Sequence, residues 1–256
     1  SFWLACIAIQ ANQNEMLGGQ SVPNFDYAMA EGVVRTFRKE YFKAMEKYAR
    51  VKFDVDAETA SEFIHTMKNA LGTGVRMGTA DEYGKKLEDW VNGGGILCGE
   101  RVLLAEDMRK AHETVVDMAL KETEGETYQS MEALIHNLNT MNSRAGAQVP
   151  FSSVNYGTDC SPEGRMVIKN LLLATDAGLG NGETPIFPVQ IFKVKEGVNY
   201  NPGDPNYDLF RLAVRTSAKR LFPNFSFLDA PFNLQYYKEG DYNTEVAYMG
   251  CRTRVM

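Results

Sequence analysis

The chain has 256 residues, of which 44% are hydrophobic, and this is enough to form the core of one large domain or of two small ones. Its formal net charge at pH 7 is -6. The negative charge argues against a surface that coats nucleic acid, but it leaves room for a local basic pocket that binds one nucleotide. No run approaches the roughly 18 apolar residues that a membrane-spanning helix needs, so we expect no membrane contact and no direct nucleic-acid binding.

Apolar residues at helical spacing dominate the first half of the chain. In chain order the pattern predicts helices over 2–14, 27–47, 56–71, 80–91, 101–122 and 126–141. Asp56 or Thr59 is predicted to cap the third of these helices. The segment 51–125 is therefore expected to be helical, and the N-terminal half of the chain to be rich in helix.

Strands and helices alternate in the second half. The pattern predicts a strand over 149–156, a helix over 161–178, a buried strand over 185–194, a helix over 206–222, a short strand over 225–228 and an extended approach over 247–251. Pro162 marks the first turn of one helix and Gly178 its end. The alternation from residue 130 onwards indicates parallel α/β units.

Four cysteines, Cys6, Cys98, Cys160 and Cys251, lie far apart and form no C-x-x-C pair. This spacing argues against a disulfide framework or a zinc site, so we expect reduced thiols in a cytoplasmic protein. The histidines lie on predicted helices without a second ligand at metal spacing, and we expect no metal site within the chain. They are His65, His112 and His136.

Three runs of sequence stand out: 137–156 (NLNTMNSRAGAQVPFSSVNY), 201–208 (NPGDPNYD) and 248–256 (YMGCRTRVM). Together they strongly resemble the catalytic domain of the anaerobic (class III) ribonucleoside-triphosphate reductases, a family of glycyl-radical enzymes. The resemblance is most specific over residues 130–255 and weaker over 51–125. Residues 13–21 (QNEMLGGQS) resemble the family's Gly-Gly-Gln segment, for which an active-site role and a dimer-interface role are both open.

The resemblance implies an α/β fold that is part of a ten-stranded barrel. In the family this barrel consists of two five-stranded halves around a finger loop. The chain lacks an initiator methionine and stops after a loop, so we expect residues 1–256 to be an internal fragment of one catalytic barrel domain. It would supply roughly the first half-barrel and the start of the finger.

Cys251 is the first candidate catalytic residue. Composition alone favours a small core residue, but Gly250 before it and Arg252 after it give the Met-Gly-Cys-Arg pattern of the family. The matching cysteine in the family lies on the finger loop and becomes the thiyl radical that attacks the ribose. Met249 is either a gap-filling core residue or, as the resemblance implies, a catalytic-site contact beside the thiol.

The run 142–155 is the candidate substrate-binding segment. Its small residues let the backbone approach a ligand, and neutral side chains offer hydrogen bonds. The predicted binding residues are Arg144, Gln148, Ser152, Ser153 and Asn155. The guanidinium of Arg144 is a candidate phosphate contact. The alternative is a helix end followed by a strand with a polar face.

The implied reaction converts ribonucleoside triphosphates to deoxyribonucleoside triphosphates, with formate as reductant. The resemblance places the glycyl radical and a four-cysteine zinc site downstream of this chain. S-adenosylmethionine and a 4Fe-4S cluster belong to a separate radical-SAM activating enzyme. It also implies a homodimer controlled by dNTP and ATP effectors. The chain alone is expected to be inactive. The alternatives are another glycyl-radical barrel enzyme, or a non-catalytic nucleotide-binding or dimerisation module.

Overall fold

The computed structural model describes residues 2–15, 18–94, 96–142, 148–249 and 253–255. The chain divides into two compact units. Residues 1–32 and 127–256 form one, here called the sheet unit, and residues 33–126 form the other, here called the helical unit. Within the described residues, no helix is both long and apolar enough to cross a membrane.

The helices and strands are numbered in chain order. The helices are α1 (Phe2–Glu15), α2 (Phe25–Lys52), α3 (Ala57–Leu71), α4 (Ala80–Gly94), α5 (Ala105–Thr140), α6 (Pro162–Ala177), α7 (Tyr207–Arg220) and α8 (Pro231–Leu234). The strands are β1 (Gln20–Val22), β2 (Leu97–Cys98), β3 (Arg101–Val102), β4 (Ser152–Tyr156), β5 (Val189–Val194), β6 (Asn224–Phe227), β7 (Ala247–Tyr248) and β8 (Arg254–Val255).

The predicted ends of α3 and α6 are confirmed, because capping is a local property, whereas α2 continues to Lys52 and α5 begins at Ala105 rather than at residue 101. The side chain of Asp56 accepts a hydrogen bond from the Thr59 amide at the start of α3. Pro162 occupies the first turn of α6, and Gly178 follows its last residue with a φ of 82°. The predicted break between 122 and 126 is wrong. Helix α5 continues through Gly125. A glycine inside a helix costs about 1 kcal/mol of stability relative to alanine, and the burial of Thr123 and Thr127 on either side offsets this cost.

The sheet unit is built on a four-stranded parallel sheet in the order β1-β4-β5-β6. The predicted parallel α/β arrangement from residue 130 onwards is therefore confirmed. Strand β1 is not predicted from the sequence, because its 3 residues carry no periodic signal. Its register pairs Ser21 with Ser153 of β4.

Side-chain alternation gives the sheet two different faces. On the helix face, Gln190 donates to Thr175 of α6 at 2.7 Å and Phe192 packs on Phe210 of α7. The opposite face carries polar side chains that sit side by side in the strand register. Here called the polar face, it carries the polar residues Ser21, Ser153, Asn155, Lys193, Asn224 and Ser226, with the apolar residues Val189 and Ile191 among them. A parallel strand buried on both sides is normally apolar throughout, so this composition makes the polar face a candidate functional surface.

A side chain of α7 stabilises the C-terminus of helix α6. The guanidinium of Arg220 donates to the carbonyl oxygens of Asp176, Ala177 and Gly182 at 2.7 to 3.0 Å. The carbonyls at a helix C-terminus lack intrahelical partners and carry partial negative charge. The basic pair at the end of α7 therefore satisfies the end of the neighbouring helix rather than its own.

We predict that Arg220→Ala destabilises the sheet unit by about 2 kcal/mol, because three part-buried carbonyl groups lose a charged donor. Lys219→Ala is the matched control. Lys219 binds the same residue, Asp176, but its side chain is 53% exposed, so its loss should cost less than about 1 kcal/mol. Urea unfolding of the two variants measures both values. Equal losses would contradict the role of Arg220.

The helical unit has its own core, formed by α3, α4 and the parts of α2 and α5 that lie within 33–126. His112 of α5 is buried in it and its Nδ1 forms a 2.8 Å hydrogen bond with the hydroxyl of Tyr41. Gly84 of α4 passes so close that a Cβ there would lie 2.6 Å from the imidazole ring. Burial lowers the pKa of His112 below its ordinary value of 6.5, so the ring is neutral at pH 7.

We predict that the helical unit loses stability as the pH falls from about 6.5 toward the folded-state pKa of His112. Over this window the unfolded chain binds more protons than the folded one, so the free energy of unfolding decreases as the pH is lowered. Hydrogen exchange of α2 and α5 peptides at pH 7.5 and 5.5, corrected for intrinsic rates, measures the effect. His112→Gln should remove this pH dependence and His65→Gln, at an exposed site, should keep it. A dependence that survives His112→Gln would contradict the assignment.

Candidate functional site

The site is centred on the hairpin of β7 and β8. Ala247 pairs with Val255, Tyr248 pairs with Arg254, and the Met249 amide donates to the Thr253 carbonyl at 2.9 Å. Cys251 lies between these strands in the sequence and outside the described residues. The position of the chain just before it is therefore set by β7.

Strand β7 lies against the polar face of the sheet. Asn155 of β4 accepts from the Tyr248 amide at 2.8 Å and donates to the Tyr248 carbonyl at 2.9 Å. The hydroxyl of Ser21 donates to the same carbonyl at 3.2 Å. Two strands of the sheet thus hold one residue of β7 by side-chain hydrogen bonds.

Two clefts open on either side of Tyr248 and Met249. One, of about 310 Å³, is lined by Ile191 of β5 and Ser226 of β6. The other, of about 340 Å³, is lined by Gln20 and Ser21 of β1. Met249 is half-buried and contributes to both. The arrangement provides ligand-sized space directly beside the residues that lead to Cys251.

The Gly-Gly-Gln segment borders the second cleft. Gly18 has a φ of 97°, which favours glycine, and a Cβ on Gly19 would lie 2.9 Å from the ring of Phe151. The Gln20 amide donates to the Phe151 carbonyl at 2.8 Å. The glycine pair is therefore required where β1 approaches the residues just before β4.

A buried charged cluster lies at the start of β7. Glu245 accepts from Lys193 Nζ at 3.2 Å and from the Thr158 hydroxyl at 2.9 Å. Lys193 also donates to Asn24 at 2.7 Å, and its side chain is only 1% exposed. Burial lowers the pKa of Lys193, while the nearby carboxylates of Glu245 and Asp26 oppose that shift. This cluster was not predicted from the sequence, although a lysine within the otherwise largely apolar strand β5 indicates that a partner for its charge is buried nearby.

Asp26 of α2 organises the loop that follows β4. Its carboxylate Oδ2 accepts three backbone hydrogen bonds, from Gly157, Thr158 and Asp159, at 2.8 to 3.1 Å. Complete burial raises the pKa of Asp26 despite these donors. Asn206 donates to the carbonyls of Gly157 and Asp159, so its side chain holds this loop and makes no capping hydrogen bond to α7, which it precedes.

A comparison with protein families matches residues 2–256 to the family described as anaerobic ribonucleoside-triphosphate reductase. The match covers essentially the whole chain. The chain belongs to this family. The sequence-based resemblance is thereby confirmed, and the weaker segment 51–125 lies within the matched range.

Individual reductases of the family are similar over about half of the chain. The anaerobic ribonucleoside-triphosphate reductase of Salmonella typhimurium is 34% identical over 136 residues, or 53% of this chain and 18% of its own length. That of Escherichia coli is 33% identical over 129 residues, covering 50% and 17%. That of Enterobacteria phage T4 is 35% identical over 139 residues, covering 54% and 22%. The aligned part thus spans about a fifth of these reductases.

The structure brings some of the predicted reductase site residues together. Met249 directly follows β7, and Ser153 and Asn155 belong to the polar face that β7 covers. Ser152 lies on the helix face by alternation, and Gln148 is exposed before β4. The hydroxyls of Ser152 and Ser153 are buried without a hydrogen-bond partner among the described residues. Arg144 and Cys251 lie outside the described residues, and the binding and catalytic roles of all seven stay predictions.

The described residues contain no group of three or more His, Cys, Asp or Glu side chains that could hold a metal ion. Cys6, Cys98 and Cys160 are free thiols. Burial raises the pKa of Cys6 to about 11, so this thiol is protonated at neutral pH.

Proposed function

We propose that the full-length protein containing this chain reduces ribonucleoside triphosphates to deoxyribonucleoside triphosphates by radical chemistry. In this proposal the chain supplies Cys251 and one wall of the catalytic pocket. The family match over residues 2–256 and the Met-Gly-Cys-Arg run support it. The strongest structural support is the placement of β7. Its residue Tyr248 is bonded to Asn155 on the buried polar face, and Met249 and Cys251 follow within three residues in the sequence.

The polar face suits a sugar better than it suits a base or a lipid. Its free hydroxyls are neutral donors and acceptors, which match ribose hydroxyl groups. The residues that could serve are Ser153 and Ser226, whose hydroxyls lack a partner among the described residues. Their burial would also keep water away from a reactive sulfur.

In the proposed reaction, a glycine radical located elsewhere in the full-length protein supplies the oxidising equivalent to Cys251. The Cys251 thiyl then abstracts the 3′ hydrogen of the ribose. The 2′ hydroxyl leaves as water, and formate, oxidised to carbon dioxide, supplies the two electrons. The role of this chain is to hold the sulfur, the ribose and Met249 in a fixed, dry arrangement.

We further propose that the parallel sheet is part of a ten-stranded barrel. Strands β1 and β6 form the edges of the four-stranded sheet, and β7 covers its polar face. Parallel edges of this kind can pair with further strands of a longer chain. A radical-SAM activating enzyme, a homodimeric assembly and dNTP or ATP effectors complete the proposal, which is drawn from the resemblance.

The test is anaerobic activation of the full-length protein, followed by an assay for deoxynucleotide formation from each ribonucleoside triphosphate with and without formate. Formate-dependent product and a glycyl radical signal are expected, and the 256-residue chain alone should give neither. A glycyl radical without deoxynucleotide would favour another glycyl-radical barrel enzyme. Nucleotide binding without any radical would favour the binding or dimerisation module.

A further inference from the structure

We propose that Asn155 is a positioning residue that fixes the finger strand β7 against the sheet, and thereby sets where the chain enters the segment that carries Cys251. The inference rests on the proposed function. It assigns to Asn155 a role different from the substrate contact that the sequence suggests.

The side chain of Asn155 binds both backbone groups of one residue in β7. The Asn155 side chain is fully buried, and its oxygen and nitrogen pair with the amide and carbonyl of one residue, Tyr248. A primary amide is the only short side chain that offers a donor and an acceptor in one plane. It therefore imitates the backbone of a neighbouring strand, with the amide orientation assigned from these two partners.

The second support is the geometry of β7. In an antiparallel pair, successive residues point their backbone groups to opposite sides. Met249 directs its amide to Thr253 of the hairpin, so the backbone groups of Tyr248 point away from β8. Because β7 lies on the sheet face instead of extending the sheet, no strand within the described residues pairs with them. Asn155, with Ser21 beside it, takes that place.

The third support is the distance along the chain. Tyr248 precedes Met249 by one residue and Cys251 by three. Glu245, three residues earlier, is held by Lys193 and Thr158. The two anchors fix the start and the middle of the segment. Hydrogen abstraction needs close approach of sulfur and ribose, and a displacement of about 1 Å can cost about 10²-fold in rate.

The experiment compares steady-state kinetics of the activated full-length protein, with the glycyl radical quantified by EPR. Asn155→Ala should lower kcat by at least about 10-fold per radical, with KM for the nucleotide changed by less than about 2-fold. Ser21→Ala, which removes only one of the bonds to Tyr248, should lower kcat by about 2- to 5-fold and remains informative if Asn155→Ala folds poorly. Asn139→Ala is the control, because Asn139 also bridges backbone groups, at Ile186 and Phe187, away from β7.

Asn155→Asp gives a second readout. Its ionised carboxylate repels the Tyr248 carbonyl, whereas its protonated form has the donor and acceptor of the original amide. The ratio of its kcat to that of the wild type should rise as the pH is lowered, and Asn155→Ala should show no such rise.

A raised KM with unchanged kcat would make Asn155 a substrate-binding residue and overturn the inference. Wild-type kinetics of Asn155→Ala would overturn it as well. Failure of the proposed function has a different signature, namely no product from the wild type or full activity of Cys251→Ser.

Discussion

Cys251→Ser in the full-length protein should abolish deoxynucleotide formation while the glycyl radical signal remains. The O–H bond of serine is far stronger than the S–H bond of cysteine, so the resting radical cannot be passed to the serine oxygen. We expect a loss of at least about 10³-fold in kcat, equivalent to about 4 kcal/mol of transition-state stabilisation. The measurement is product formation per glycyl radical, with the radical quantified by EPR under anaerobic conditions.

The matched control is Cys160→Ser. Cys160 is the exposed cysteine among the described residues, and its thiol faces the Thr158 carbonyl at 3.7 Å. The substitution changes the same atom in the same way but at a position outside the clefts beside Met249, so kcat should stay within about 2-fold of the wild type. Turnover by Cys251→Ser would make that cysteine structural. Loss of the radical signal itself would indicate a defect in activation.

The elements of this chain were predictable to the extent that their signals are local. Helix caps such as Asp56 and Ser161 act over three residues, and the alternation of helices and strands from residue 130 gives parallel pairing directly. Local signals do not suffice at two positions. Gly125 does not break α5, because the flanking residues are buried, and Asn206 bonds a distant loop rather than its own helix end.

The contacts of the site were not predictable from spacing. Asn155 and Tyr248 are 93 residues apart, and Ser21 and Tyr248 are 227 apart. A neutral amide on a strand suggests a ligand as readily as it suggests a backbone partner, and only the three-dimensional arrangement supplies the partner. The motif identified the segment, whereas the geometry determined what its side chains contact.

The second large effect concerns the ion pair of Lys193 and Glu245. Lys193→Met should destabilise the sheet unit by about 3–5 kcal/mol, because it leaves the carboxylate of Glu245 buried without its closest cation. Lys195 is the other cation near Glu245, but it is 3.5 Å away and more exposed. Native-state hydrogen exchange of β4 and β5 amides reports this loss. Lys219→Met is the control, since Lys219 is 53% exposed beside Asp176 in the same unit and should cost less than about 1 kcal/mol.

Glu245→Gln and the double variant complete a thermodynamic cycle. If the pair acts as a unit, the double variant should be less destabilised than the sum of the single variants by at least about 1 kcal/mol. Additive losses would show that the two groups are stabilised by other neighbours. A buried pair of this kind contributes little stability compared with apolar residues of the same volume. Its value is that Glu245 can be buried only where Lys193 meets it, and this fixes the residue at which the chain begins its path toward Met249.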